Sequence, residues 1–263
     1  MKYTVLTLFP EIVDAFFSSS IMAKAVQRGI IGYRAVNIRD FALDKHHSCD
    51  DSPYGGGAGM LMMAEPLGMA LEAQGVVPGR PPSESSRPRV VYLSPSGKPF
   101  NQELAREFAA EEELVLICGR YEGIDQRIID AYVDDEISIG DYVLSSGEVA
   151  ALVVIDASYR LIDAVITPES LEEESFSDGL LEYPQYTRPE IYGTMRVPDV
   201  LLSGHHENIR RWRLRQRVEK TLLVRPDLIR RGLEKDAFDA ETRKLIQEMR
   251  DAQDCAADPE GET

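Results

Sequence analysis

Short apolar runs rich in β-branched residues alternate with longer amphipathic stretches over the first two-thirds of the chain. TVLTLFP (4–10), VVYLSP (90–95), LVLICG (114–119) and EISIGDYVL (136–144) read as buried strands. Between them EIVDAFFSSSIMAKAVQRG, NQELAREFAAEEE, QRIIDAYV and SSGEVAALVVIDASYRLIDAV carry helix-like spacing. The alternation predicts an α/β domain built on a mostly parallel sheet. GVVPGRPPSESSRPR (75–89) is dense in Pro, Ser and Gly and predicts an exposed loop. TPESLEEES (167–175) is acidic and without period, so it reads as a linker, and residues 200–250 return to a helical pattern. The expected organisation is a domain over 1–166, a linker over 167–175, a helical domain over 176–250 and a disordered acidic tail over 251–263.

Composition narrows the class. A chain of 263 residues with 43% hydrophobic and 28% charged positions matches a soluble globular protein. The opening MKYTVLTLFPEIV has an apolar run cut by Pro10 and Glu11, too brief for a signal segment or a membrane span. A cytoplasmic protein is the expectation. Cys49, Cys118 and Cys255 are scattered and form no C-x-x-C pair, so neither a disulfide framework nor a structural zinc site is expected.

A formal net charge of −16 argues against indiscriminate binding to nucleic acid. That objection is not local. Between 205 and 231 nine basic residues face only Glu207, Glu219 and Asp227, which leaves 9 − 3 = +6. In HHENIRRWRLRQRVEKTLL, the spacing of Arg210, Arg213 and Arg217 predicts three guanidiniums on one helical face, with Leu214, Val218 and Leu222 on another. Trp212 falls beside the arginines, a pairing suited to stacking on bases and gripping phosphates. A solvated basic helix with Trp212 packed on a neighbour is the alternative.

Three glycine-bearing loops follow predicted strands: LSPSGK (93–98), GRYEGID (119–125) and SIGDYVLSSGE (138–148). Ligands of open parallel sheets bind beyond the carboxyl ends of strands, so these loops are candidate ligand contacts. No G-x-G-x-x-G opens a helix after the first strand, which argues against a dinucleotide site. His46, His47, Cys49, Asp50 and Asp51 include metal-ligand types, but no second cluster completes a shell, so no metal site is assigned. The glycines at 55, 56, 57 and 59 lack the Lys-Ser/Thr ending of a P-loop and read as a flexible substrate-facing loop.

Taken together, YGGGAGMLMM (54–63), YLSPSGK (92–98), CGRYEGID (118–125), SIGDYVLSSGE (138–148), ESFSDGLLEYPQYTRP (174–189) and LLSGHHENIRRWRLRQ (201–216) resemble the bacterial tRNA (guanine-37-N1)-methyltransferase family of the SPOUT superfamily. The resemblance runs in order over about residues 1–250. It implies a SPOUT-type sheet with a trefoil knot late in the N-terminal domain and a small, mainly helical C-terminal domain. It further implies S-adenosyl-L-methionine as methyl donor, tRNA as substrate, and a homodimer with active sites at the subunit interface. No membrane partner is implied; a magnesium dependence is, though no dedicated ligand set is visible. Carried over by position, Tyr92, Leu93, Ser94, Pro95, Gly119, Glu122, Ile139, Gly140, Asp141, Tyr142, Val143 and Leu144 are the donor pocket. Arg210, Trp212, Arg213 and Arg217 are the tRNA contacts.

The resemblance also assigns Arg160 and Glu174 to the target base, Glu174 standing where the family often has aspartate. Asp178 and Glu182 are nearby alternatives. Guanine N1 holds a proton at neutral pH, so a positioned base must remove it before the nitrogen can attack. The charge then spreads to O6, where an arginine is a fixed stabiliser. The polar segment around Glu174 is expected to order only when tRNA arrives.

Overall fold

Alternation along the apolar runs puts successive side chains on opposite faces of a five-stranded parallel sheet. The computed structural model describes residues 1–79, 87–166 and 174–257. Its chain divides into two units, Met1–Thr167 and Pro168–Thr263. In the first, β1 (Lys2–Thr7), β2 (Gly32–Asn37), β5 (Arg89–Pro99), β6 (Glu113–Cys118) and β7 (Asp135–Ser138) form the sheet, with β3 (Asp50–Asp51) and β4 (Leu61–Met62) a separate short pair. The order is β2-β1-β6-β5-β7, every pair parallel.

One face collects Tyr3, Val5, Val91, Leu93, Leu114, Leu116 and Cys118 with Phe17, Phe108, Val154 and Ile155. The other collects Leu6, Val90, Tyr92, Val115 and Ile117 with Leu67, Leu71 and Ile128. Helices therefore cover both sides: α1 (Pro10–Phe17), α2 (Ser20–Gln27), α4 (Gln102–Ala109) and α6 (Gly147–Tyr159) supply the first layer, α3 (Ala64–Glu72) and α5 (Gln126–Tyr132) the second. Near-continuous burial along β1 and β6 is what a sheet covered on both faces requires.

Several expected elements differ. The strand expected over 136–144 stops at Ser138, because Gly140 takes φ +151 and Tyr142 N–H closes back on Gly140 O at 2.9 Å. The single helix expected over 11–29 is two helices, separated at Ser18 and Ser19, with Ser20 at φ +53. β2 and α3 were not anticipated; β2 is an edge strand, only partly buried, so its apolar alternation is weak.

The second unit carries the β8–β9 hairpin (Ile191–Tyr192, Met195–Arg196) and helices α7 (Asp199–Leu202), α8 (His206–Val224), α9 (Pro226–Glu234) and α10 (Ala240–Ala257). Leu180, Val218, Ile229, Phe238 and Ile246 form its core. The disordered tail expected from 251 is corrected in part: α10 continues to Ala257, since DAQDCAA contains no helix breaker. Residues 258–263 of that tail, 167–173 of the expected linker and 80–86 of the expected loop lie outside the described residues. Among the described residues no helix is long and apolar enough to cross a membrane.

Candidate active site

The carboxyl ends of β5, β6 and β7 converge on an open cleft of about 290 Å³. Its walls are Tyr92–Ser96, Gly119–Gly123 and the stretch from Ile137 to Gly147 with Asp141 left out, closed by Ala150. Eleven of the twelve carried-over pocket residues line it: Tyr92, Leu93, Ser94, Pro95, Gly119, Glu122, Ile139, Gly140, Tyr142, Val143 and Leu144. Asp141 does not; it is exposed at the tip of the turn, where the tight Gly140–Tyr142 closure turns it outward. Arg120, Tyr121, Ser145, Ser146 and Gly147 also line the cleft, and all sit inside the motifs already singled out.

Backbone geometry builds these walls. Gly147 N–H donates to Gly119 O at 2.8 Å, drawing the start of α6 against the end of β6. A Cβ at Gly147 would lie 2.7 Å from Gly119 N and 2.8 Å from Cys118 Cα, so no larger residue fits. Tyr142 Oη donates to Ile139 O at 3.2 Å and fixes the opposite lip. The Tyr92 hydroxyl is pushed above its ordinary pKa by burial and then by the Glu136 charge, so it stays neutral near pH 7.

The glycine run is stitched to this cleft. Gly55, Gly56, Gly57 and Gly59 all have positive φ, and Glu122 packs on the open face of Gly59. Glu122 N–H donates to Met60 O at 3.0 Å, Met62 N–H to Gly123 O at 3.0 Å and Asp125 N–H to Met62 O at 3.1 Å. The Tyr121 hydroxyl is raised by burial and then by its hydrogen bond to Asp50. The substrate-facing loop expected from sequence is thus anchored at its carboxyl end. Asp44 organises the histidine segment: it accepts from His46 N at 2.9 Å and Ser48 N at 2.7 Å. No cluster of three or more His, Cys, Asp or Glu positioned to hold a metal ion occurs among the described residues.

α6 runs antiparallel to β1. Thr7 Oγ1, at the end of β1, donates to Glu148 Oε1 at 2.6 Å, whereas Tyr3 Oη, near its start, lies 3.0 Å from Ser158 Oγ. Arg160 caps the far end of α6 and therefore stands about 20 Å from Gly147, at a rise of about 1.5 Å per residue. Within one chain, Arg160 and the cleft lie toward opposite ends of the strands. Val149 and Val153 leave an apolar stripe exposed on α6, and Val143 beside it is 85% exposed.

In the second unit, Glu174 begins a tight loop: Ser177 N–H donates to Glu174 O at 3.1 Å, Phe176 N–H to Leu180 O at 2.9 Å, and Glu182 N–H to Ser175 Oγ at 3.0 Å. Arg217 pins this loop to α8, pairing its buried guanidinium with Asp178 and donating to Leu181 O at 3.4 Å. That corrects the expectation of three guanidiniums on one helical face. Leu214, Arg217, Val218 and Thr221 follow i, i+3, i+4, i+7 spacing, so Arg217 falls inside the core-facing stripe. The two others differ as well. Arg210 is exposed but shared between Glu207 and Glu241, at 3.0 and 2.9 Å, while the Arg213 guanidinium lies 4.6 Å over the Tyr183 ring. Trp212 stands 6.4 Å from the half-exposed Tyr186, centroid to centroid. Tyr183 and Tyr186, not anticipated as site residues, extend the aromatic and cationic surface; both lie in the YPQYTRP motif.

The family described as tRNA (Guanine-1)-methyltransferase TrmD matches residues 1–231. A protein of Treponema denticola, named tRNA (guanine-N(1)-)-methyltransferase, is 64% identical over 249 residues, 95% of this chain and 99% of that one. Proteins of the same name from Treponema pallidum and Borreliella burgdorferi are each 58% identical, covering 95% and 89% of this chain and 96% and 95% of their own lengths.

Proposed function

The chain belongs to the tRNA (guanine-1)-methyltransferase family, and on that premise we propose that it moves a methyl group from S-adenosyl-L-methionine to N1 of the guanosine at tRNA position 37, in the cytoplasm and as a homodimer. The observation that carries this reading is the three-walled cleft at the carboxyl ends of β5, β6 and β7, in a chain matched by that family almost end to end. Backbone groups of the three turns suit the edge of an adenine, and Leu93, Ile139, Val143 and Leu144 suit its faces. The donor supplies an already activated methyl group, so the protein's own work is to remove the N1 proton and align the nitrogen.

Glu174 is the proposed base, on a loop held by Arg217. Asp178 is the weaker alternative because its carboxylate is engaged by that arginine. Arg160 is the proposed stabiliser of charge on O6. Its place at the far end of α6 supports a dimeric site, since one chain leaves it about 15–20 Å along the helix from the cleft residues Ala150 and Gly147. Antiparallel pairing of two α6 helices across a two-fold would cover the stripe of Val149 and Val153 and bring the partner's Arg160 to the cleft end. We also propose that the segment after β7 completes a trefoil knot. β7 lies outside β5, yet residues 139–147 return past the projecting 94–97 turn to reach the end of β6, which favours a threaded path. Residues of the chain do not fit a dedicated magnesium site among those described, so no step is assigned to that ion.

Purified protein, donor and unmodified tRNA should yield 1-methylguanosine on digestion and mass analysis, and a tRNA with another base at position 37 should not. Absence of that nucleoside, or sugar methylation in its place, would overturn the assignment. Dimerisation is checked by mixing an Arg160→Ala chain with a Gly147→Leu chain, whose own cleft is blocked; pairing its Arg160 with the intact cleft of the other chain should restore part of the turnover that each lacks.

A further inference from the structure

Glu148 is 1% exposed, and its second carboxylate oxygen, Oε2, has no hydrogen-bond partner among the described residues. Buried carboxylate oxygens are ordinarily satisfied, so an orphan of this kind calls for a reason. Its place is specific. Glu148 sits in the first turn of α6 between Gly147 and Ala150, both of which line the cleft, and Thr7 Oγ1 holds its other oxygen from behind. Its charge is felt at the end of β6: the Cys118 thiol, next to Gly119 of the cleft wall, is raised well above its ordinary range by burial and then by Glu148.

The donor and the product of the proposed reaction differ at one atom, a cationic sulfonium against a neutral thioether. The amino end of α6 faces the cleft with a positive partial charge, which favours the neutral ligand. The charged side chains lining the cleft, Arg120 and Glu122, offset one another. A buried carboxylate directly behind the wall reverses the bias, because low local polarity lets its field reach the ligand with little screening. We propose that Glu148 is a specificity-determining residue that makes the cleft prefer the sulfonium donor over the demethylated product, and so limits product inhibition. This rests on the cleft being the donor site.

The test is calorimetry on the full-length protein with S-adenosylmethionine and S-adenosylhomocysteine as separate ligands. Glu148→Gln keeps shape and removes charge; the ratio of product Kd to donor Kd should fall about tenfold, a size expected for one charge within about 10 Å at an effective dielectric near 20. A donor analogue carrying an amine in place of the sulfonium should lose affinity as the donor does. Glu148→Asp keeps the charge while disturbing the Thr7 contact, so both affinities fall and their ratio holds within about twofold. If Glu148→Gln does not fold, the wild-type protein decides the matter: it should bind the amine analogue about tenfold more tightly than an uncharged isostere of it, and equal affinities would overturn the inference. Equal losses for donor and product in Glu148→Gln, or a ratio that moves in Glu148→Asp, would reduce Glu148 to a structural role and overturn the inference. Wild-type protein that binds neither ligand would overturn the donor-site reading itself.

Discussion

The cleft of the first unit and the basic helix of the second present opposite kinds of surface. The cleft presents turns whose close approach leaves no room for side chains, as at Gly147 against Cys118 and Gly119. α8 presents long side chains that neighbouring groups compete for: Glu207 and Glu241 hold Arg210, the Tyr183 ring carries Arg213, and Asp178 has drawn Arg217 out of the surface. The first arrangement suits one small rigid ligand. The second suits a flexible polyanion, which can displace exposed carboxylate partners because such pairs contribute only about 0–1 kcal/mol in water.

The contrast is sharpest if the second unit also supplies the proposed base. Glu174→Gln should cut turnover by about 10²–10⁴-fold with donor Kd unchanged, measured by single-turnover methyl transfer and calorimetry. Unchanged turnover would move the base to Asp178 or Glu182 and return the second unit to a passive handle. Gly147→Ala tests the other side. Forcing a methyl into backbone contact should weaken donor binding about tenfold to a hundredfold, in line with about 1–3 kcal/mol of overpacking, while tRNA affinity barely moves.

Smaller effects divide the arginines. Arg217→Ala should lower the stability of the second unit by about 1–2 kcal/mol in a denaturant titration, less than a fully buried pair because Asp178 is 47% exposed. The salt dependence of tRNA binding should stay as it was. Arg213→Ala should do the reverse: stability nearly constant, and the slope of log affinity against log salt shallower by about 1, one phosphate contact being lost. If both variants changed the slope equally, the division of α8 into a structural and an RNA-facing arginine would fail.

How much was legible in advance differs between the regions for the same reason. The parallel sheet could be read because β1, β5 and β6 are apolar on both faces, and burial on two sides leaves a run that needs no partner to be recognised. Edge strand β2 escaped notice because only half its surface is covered. The cleft walls were legible as glycine-bearing turns after strands, since turn chemistry is local. That Asp141 does not line the cleft was not legible, because which side of a four-residue turn faces inward depends on the closure between Gly140 and Tyr142. Arg217 was misplaced because helical spacing groups residues by angle and cannot say where the core stripe ends.

By itself, then, the sequence determined the layers, the strand ends that carry the ligand turns, and the family to which the chain belongs, all of which follow from local pattern and motif order. Tertiary structure alone decided that Arg160 lies at the opposite end of the strands from the cleft, that Arg217 is buried, and that one oxygen of Glu148 has no partner among the described residues behind the wall. Those three facts depend on the antiparallel run of α6 against β1 and on which helices pack together. Such relations join residues 39 positions apart, as Arg217 and Asp178, up to 155 apart, as Tyr3 and Ser158, and no local pattern encodes them.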